Sequence, residues 1–254
     1  GETVDEAAFA KQVSTAVHDI VRRQVEAGVD IVSDGEMGKI GYSTYIKDRC
    51  SGFSGDSPRK PPADLERFPA FMQLSAQRNQ APPINRPICT GKIELRTRAP
   101  LETDIANFRD ALQGSGAVEG FLNASSPGVI SAFLPNEYYP SEQKYLEALG
   151  HAMREEYEAI HAAGFVIQID CPDLAMARHT QYKDLSDAEF VKQSERQVEV
   201  LNDALQNVPP EMSRMHICWG NYEGPHDRDI PLASIAAVLC TARPQVISFE
   251  AANP

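Results

Sequence analysis

Short apolar runs alternate with helical patterns along this chain of 254 residues, and this alternation limits the possible fold more than any other feature. Each run is nearly continuous in apolar residues, as in the strands of a parallel sheet that helices cover. The six runs predicted as strands end at or near Glu36, Leu95, Ser125, Asp170, Asn221 and Glu250. The sequence therefore predicts an α/β fold with helices packed outside a parallel sheet.

Helical patterns separate the predicted strands. Apolar residues recur at helical spacing over residues 5–27 and 141–163, and the glycines that follow, Gly28 and Gly164, are typical of helix ends. Further helices are predicted over residues 65–77, 101–112, 187–206 and 232–242. Two other segments are predicted to lack regular structure: residues 41–55 as a loop, and the Pro- and Lys-rich residues 57–64 as a mobile segment.

Polar side chains stand where the strands end. In a TIM (β/α)8 barrel the carboxyl ends of the strands converge on one face, which carries the active site. We therefore expect a TIM (β/α)8 barrel, although six strands are two fewer than a closed barrel needs. An open doubly wound sheet is the alternative, but no glycine-rich phosphate-binding sequence follows any strand. Because we find no repeat and no linker, residues 1–254 are predicted to form a single domain.

The segment Met-His-Ile-Cys-Trp-Gly-Asn at residues 215–221 is predicted to be a short buried strand. Residues two apart on a strand point to the same face, so His216 and Cys218 project together. Imidazole and thiolate are ligands that zinc favours. Glu250 ends the next strand, and if the two strands are neighbours the three side chains form three corners of a metal site. On spacing alone, an ordinary core strand beside an unrelated acid remains an equal alternative.

Composition narrows the class of partner. The formal net charge of −12 makes the surface repel phosphate backbones, so no nucleic-acid partner is expected. No apolar run approaches the roughly 18 residues of a membrane span, and no signal peptide precedes Gly1, so no membrane partner is expected either. The five cysteines are odd in number and widely spaced, which favours a reducing, cytoplasmic location.

Four stretches, in this order, resemble the catalytic barrel of cobalamin-independent methionine synthase and its shorter single-barrel relatives. They are Gly-Val-Asp-Ile-Val-Ser-Asp-Gly-Glu at 28–36, Ile-Gln-Ile-Asp-Cys-Pro at 167–172, His-Ile-Cys at 216–218 and Ile-Ser-Phe-Glu at 247–250. The resemblance implies zinc bound by His216, Cys218 and Glu250, with a fourth ligand, a cysteine, beyond Pro254. It also implies a partial barrel in this chain, whose first and last strands lie outside residues 1–254.

The same resemblance implies that Glu36 and Asp170 bind the ammonium group of homocysteine. We also assign Ser125 to substrate binding, although a serine in Ser-Ser-Pro is common in turns as well. His179, Arg178 and Tyr182 are interpreted as able to reach an anionic substrate group, and His226 as exposed. The remaining cysteines, and Trp219, are interpreted as structural: Cys50, Cys89, Cys171 and Cys240.

The function implied is zinc-dependent transfer of a methyl group, from a methylated folate, to the thiol of homocysteine, which produces methionine. The partners would be a small-molecule thiol and a methyl donor, and a homo-oligomer is compatible with the sequence. One alternative is a zinc-dependent thiol alkyltransferase of the epoxide–coenzyme M type. Another is a metal-independent barrel lyase or decarboxylase that uses Asp170 and Glu36 as acid and base. A non-catalytic remnant is a third.

Overall fold

A computed structural model describes residues 5–58, 62–78, 86–221 and 224–250 of the chain. Within these residues the chain forms seven strands. They are β1 (Ile31–Ser33), β2 (Phe53–Ser57), β3 (Arg86–Cys89), β4 (Glu119–Ser125), β5 (Val166–Asp170), β6 (Ser213–Ile217) and β7 (Val246–Phe249). Five of them form one parallel sheet in the order β1-β4-β5-β6-β7, as the continuous apolar runs predict.

The register of the parallel sheet aligns the carboxyl ends of its strands. Ser125, the last residue of β4, lies opposite Asp170 at the end of β5, and Asp170 lies opposite His216 in β6. In the next pair of strands Ile217 of β6 lies opposite Phe249 of β7. The residues that follow each strand therefore meet along one edge of the sheet.

Nine α-helices lie within the described residues. They are α1 (Glu6–Glu26), α2 (Ile46–Arg49), α3 (Ala63–Glu66), α4 (Pro69–Arg78), α5 (Ala99–Leu112), α6 (Pro127–Phe133), α7 (Glu142–Ala162), α8 (Asp187–Ala204) and α9 (Leu232–Leu239). Local sequence sets where several begin: the Asp5 carboxylate caps α1, and Ser186 with Glu189 forms a capping box on α8. No helix among the described residues combines the length and apolar character that a membrane span requires.

The core lies between the parallel sheet and its helices. Val32, Leu122, Ile167 and Met215 come from four neighbouring strands, and each is at most 1% exposed. Because side chains alternate along a strand, these residues fix which face of the sheet the helices cover. The residues that alternate with them along each strand project from the opposite face of the sheet.

The predicted strand over residues 86–95 is wrong in extent and in partner. Only its first four residues form a strand, β3, which pairs antiparallel with β2 in a separate two-stranded sheet, where Phe53 lies opposite Cys89. Pro87 lacks the N–H that a central strand needs, which confines such a strand to an edge. The parallel sheet therefore has five of the six predicted strands.

The long segment between β1 and β4, residues 34–118, is called the excursion below. It differs from the sequence prediction in two further ways. Residues 41–55, predicted as a loop, contain a 3-10 turn (Tyr42–Thr44), α2 and most of β2. The predicted helix over residues 65–77 is two helices, since Pro69 cannot continue α3 and instead begins α4. The predicted mobile segment over residues 57–64 lies partly outside the described residues.

A buried ion pair ties this excursion to the helical layer. The Arg49 guanidinium in α2 donates a hydrogen bond to the Glu156 carboxylate in α7, and each side chain is 2% exposed. Arg49 also stacks over the Tyr45 ring at 4.7 Å, and the Tyr45 hydroxyl donates to Asp104 at 2.6 Å. The excursion is therefore held against α5 and α7 by charged groups in the interior.

Candidate metal and substrate site

The sheet face that the helices do not cover is polar. In β6, Met215 and Ile217 are fully buried. The residues that alternate with them, Arg214, His216 and the following Cys218, are half-buried and share the other face. The same alternation places Asn123 of β4 and Gln168 and Asp170 of β5 on that face. The predicted projection of His216 and Cys218 to one side thus agrees with the burial pattern of their strand.

Asp170 is held in a fixed orientation by its neighbours. Asn123 Nδ2 donates to one carboxylate oxygen and Gln168 Nε2 to the other, each at 3.1 Å. Gln168 Oε1 in turn accepts from Arg214 Nε at 2.8 Å, and the Arg214 guanidinium stacks over Phe121 at 3.7 Å. Burial raises the pKa of Asp170, while the two amide hydrogen bonds oppose that shift. A largely buried carboxylate with ordered oxygens suits a cationic ligand.

Glu36 approaches the same end of the sheet from the loop after β1. It has a positive φ of 55°, and its N–H donates to Asp34 Oδ1 at 3.0 Å. Its Oε1 is buried and has no hydrogen-bond partner among the described residues. Burial raises the pKa of the Glu36 carboxyl, the positive charge of Lys39 opposes that shift, and the negative charge of Asp170 adds to it. The charges of Glu36 and Asp170 therefore influence each other at this end of the sheet.

Ser125 also lies at this edge, but its hydroxyl already has a partner. Its Oγ donates to the backbone oxygen of Tyr42 at 2.9 Å, and its own carbonyl accepts from Tyr157 at 2.6 Å. The residue is buried beside Asp170 in the register. Its assignment to substrate binding stays a prediction.

His216, Cys218 and Glu250 are placed as neighbours at the ends of β6 and β7. Ile217 and Phe249 are paired in register, and Cys218 and Glu250 directly follow them. Cys218 Sγ accepts a hydrogen bond from Gly220 N at 3.2 Å. Burial raises the pKa of the Cys218 thiol, and the nearby Glu250 charge contributes to the increase. Glu250 itself is exposed.

The ligand atoms of these three side chains do not all lie close together. Within the described chain, one group of three or more His, Cys, Asp or Glu side chains has ligand atoms all within 4.8 Å of one another. That group is Asp64, His179 and Asp229, which come from three separate segments and have no regular spacing in sequence. Sequence reasoning missed this group because its members are distant along the chain.

The histidines outside the strand ends are placed differently from their sequence interpretation. His179 is buried against carboxylates rather than directed at an anionic substrate group, and His226 is half-buried rather than exposed. Arg178 pairs with Asp187 at 2.8 Å, and the Tyr182 hydroxyl donates to Glu142. Trp219 is packed as expected, with Nε1 donating to a backbone oxygen.

A cavity of about 160 Å³ opens beside the end of β6. Its lining includes Gly220 and Asn221, which follow Cys218, and Met176 from the loop after β5. The Arg86 guanidinium, on another wall, stacks over the Phe133 ring at 4.4 Å. The cavity therefore borders the segments that follow β5 and β6.

Asp173, just after β5, is a second buried carboxyl with its own environment. Ser126 Oγ donates to Asp173 Oδ1 at 2.6 Å, and a Cβ at Gly128 would lie 1.9 Å from Oδ2. Burial raises the pKa of Asp173 to about 7. Glycine at position 128 is therefore required by the space that this carboxyl occupies.

The Asp173→Asn variant is expected to become more stable, relative to the parent protein, as pH rises. The folded pKa of about 7 exceeds the unfolded value near 3.9, so the parent loses stability between about pH 4 and pH 7. Asparagine does not titrate. Urea unfolding at pH 5 and pH 8 should show a relative gain of about 2–3 kcal/mol in the free energy of unfolding. A difference that stays constant with pH would contradict the assigned pKa.

A parallel sheet with helices on one face and ionisable side chains along its carboxyl edge defines an α/β protein with its candidate site at the strand ends. Among solved structures, the chain is similar to a B12-independent methionine synthase from Shewanella sp. W3-18-1, with a TM-score of 0.63 and 20% identity over 88% of this chain and 56% of that one. A putative B12-independent methionine synthase from Listeria monocytogenes gives a TM-score of 0.55, 20% identity, and coverage of 84% and 56%. The likeness supports a curled parallel sheet that forms half a barrel.

Curated relatives agree with these structures. The chain is 25% identical to a methionine synthase of Sulfolobus acidocaldarius over 82% of this chain and 51% of the relative, and 26% identical to one of Saccharolobus solfataricus over 88% and 58%. It thus spans about half the length of the curated relatives it matches. No protein-family model matches the chain. The chain is thus similar in sequence to methionine synthases and similar in fold to two B12-independent ones, in agreement with the resemblance of its four motifs.

Proposed function

We propose that this protein is a zinc-dependent methyltransferase that transfers a methyl group, from a methylated folate, to the thiol of homocysteine. The observation that carries the proposal is the register of β5 and β6, which sets Asp170 beside His216 with Cys218 two residues further on. A cation-binding carboxylate and two zinc-favouring side chains therefore share one polar face. The relatives named methionine synthase support the same chemistry.

The proposal includes the wider setting of the site. The half-barrel would be part of a TIM (β/α)8 barrel, completed by strands outside residues 1–254. This chain would form a single partial domain of that barrel, in a protein that is compatible with a homo-oligomer. A cytoplasmic location is in keeping with the absence of disulfides among Cys50, Cys89, Cys171, Cys218 and Cys240.

The residues at the ends of β6 and β7 fit zinc in their chemistry. His216 offers an imidazole, Cys218 a thiol and Glu250 a carboxylate, which together are nitrogen, sulfur and oxygen donors that zinc accepts. Glu250 is exposed and His216 half-buried, so both have rotamer freedom to turn toward Cys218. Zinc bound by this set would keep a coordinated thiol sulfur in its deprotonated, nucleophilic form.

Asp170 and Glu36 would orient the amino-acid end of the substrate. An ammonium group beside Asp170 would form charge-assisted hydrogen bonds with a carboxylate that Asn123 and Gln168 already hold in place. The same ammonium group would also balance the negative charge of the Glu36 carboxylate, whose Oε1 is buried. Fixing the ammonium in this way would set the direction from which the thiol approaches Cys218 and His216.

The Asp170→Asn variant should bind homocysteine more weakly by about 1.5–3 kcal/mol, which is the cost of a lost charged hydrogen bond. Zinc content should be unchanged, because Asp170 is not in the proposed metal set. Calorimetric titration with homocysteine measures the effect. The matched control is Asp173→Asn, which removes a buried charge three residues away and should leave the affinity as it was. Normal binding by Asp170→Asn would favour a thiol without an ammonium group.

The function itself is tested by metal analysis combined with an assay of methyl transfer. The purified protein should contain a cysteine-bound zinc ion and methylate homocysteine with a methylfolate donor. Thorough chelation should abolish the activity, and added zinc should restore it. Activity with coenzyme M and an epoxide instead would place the protein with the alkyltransferases. Full turnover of methylfolate and homocysteine after chelation would rule out the zinc mechanism.

A further inference from the structure

Three ionisable side chains from three separate segments of the chain meet outside the set of His216, Cys218 and Glu250. Asp64 belongs to α3, His179 ends the 3-10 turn Met176–His179, and Asp229 lies in the loop between β6 and α9. Their ligand atoms all lie within 4.8 Å of one another. The chain folds three distant segments together at this point.

One distance within the group matches the spacing of two ligands on one ion, and a second distance is slightly longer. His179 Nδ1 lies 3.2 Å from Asp229 Oδ1 and 3.8 Å from Asp64 Oδ2. Ligands held at about 2.0–2.2 Å from a metal lie roughly 3.0–3.6 Å from each other in tetrahedral or octahedral geometry. His226 lies beside the group rather than in it, with Nδ1 at 3.2 Å from Asp229 Oδ2.

Burial makes the charge of this group costly unless it is balanced. The side chains of Asp64 and His179 are 0% exposed, and that of Asp229 is 21% exposed. The two carboxylates offer oxygen donors and His179 offers a nitrogen donor. A divalent cation would interact strongly with such donors at a site where water screens little. The partial exposure of Asp229 gives such an ion a route from solvent.

We propose that Asp64, His179 and Asp229, with His226 beside them, bind a divalent transition-metal ion such as Zn²⁺ or Mn²⁺. Mixed imidazole and carboxylate donors suit these ions, whereas the thiol of Cys218 makes the other set softer. The site is independent of the proposed methyl transfer. Pro62 and Thr180, which line the cavity, are close in sequence to Asp64 and His179, so the ion would fix two walls of that cavity.

The test uses tag-free protein stripped of metal by a chelator and then titrated with Co²⁺. Bound cobalt per chain and the absorption spectrum are both recorded, because a thiolate ligand gives a sulfur-to-cobalt charge-transfer band that nitrogen and oxygen ligands lack. The Cys218→Ser variant removes the thiolate. It should still bind one Co²⁺ per chain, without the charge-transfer band. That result would stand whether or not the proposed zinc site of the methyltransferase exists.

In protein that already carries Cys218→Ser, replacing one of the proposed metal ligands should then abolish Co²⁺ binding. Asp229→Asn is the first choice, because Asp229 is partly exposed and the change is conservative. It should weaken Co²⁺ binding at least about 100-fold, since even partners of metal ligands are worth 10–100-fold. The matched control is Asp227→Asn in the same loop, which pairs with Arg67 and should leave binding intact.

A second measurement needs no substitution among the proposed ligands. Mn²⁺ added to the Cys218→Ser protein should broaden the imidazole NMR resonances of His179 and His226 before those of the exposed His18. Absence of stoichiometric Co²⁺ in Cys218→Ser, unchanged affinity in the Asp229→Asn variant, or uniform broadening would overturn the proposal. The group would then be a metal-free network of histidines and carboxylates.

Discussion

Replacement of Glu156 by Ala is expected to lower the free energy of unfolding by about 3–5 kcal/mol, as for other buried ion pairs that lose one partner. Arg49 would keep its charge at a position that is 2% exposed, with the Tyr45 ring on one side and without the Glu156 carboxylate that accepts its hydrogen bond. The excursion that carries α2 should loosen first, because Arg49 is its charged anchor to α7. Urea unfolding at neutral pH measures the loss.

The neighbouring residue supplies a matched control. Glu155 is also in α7 and pairs with an arginine, Arg98, but its side chain is 41% exposed. Glu155→Ala should therefore cost no more than about 1 kcal/mol, as for surface ion pairs. The same substitution in the same helix separates the buried charge from any change in helix propensity. Equal losses in the two variants would show that the Arg49–Glu156 pair adds nothing specific.

The Cys218→Ser variant is expected to lose the cysteine-bound zinc and to lower the rate of methyl transfer at least about a thousandfold, or roughly 4 kcal/mol of transition-state stabilisation. A serine hydroxyl remains protonated at neutral pH and is a poor zinc ligand. Atomic emission and the homocysteine assay measure the two effects. Cys240→Ser, at the exposed end of α9, should leave both unchanged. Retained activity together with retained zinc would exclude Cys218 as a ligand.

Periodicity was sufficient to place the residues of β5, but β6 covers Ser213–Ile217 rather than the predicted residues 215–221, so only part of that strand was placed correctly. Continuous apolar runs predicted both strands, and alternation placed His216 with Cys218 on one face. Asp170 was found because the strand before it is unmistakably apolar. These features depend on local sequence, since a residue and its neighbours two positions away decide which side chains the helices bury.

Features that depend on contacts between residues distant in the chain could not be predicted from the sequence. The strand β2 reads Phe-Ser-Gly-Asp-Ser, a composition with little strand preference, and it forms because β3 pairs with it. The group of Asp64, His179 and Asp229 is assembled from three separate segments, and each residue alone resembles an ordinary surface acid or histidine. Only the folded chain reveals that two of them are fully buried.

The hydrogen bonds around Gln168 affect how strongly Asp170 could bind a cation. A guanidinium can only donate, so Arg214 obliges the Gln168 amide to turn its oxygen toward β6 and its NH₂ toward Asp170. The amide therefore has one orientation rather than two, and the carboxylate beside it has lost its rotational freedom before any ligand arrives. A cation that binds there does not bear the entropy cost of ordering Asp170, and more of its interaction energy appears as affinity.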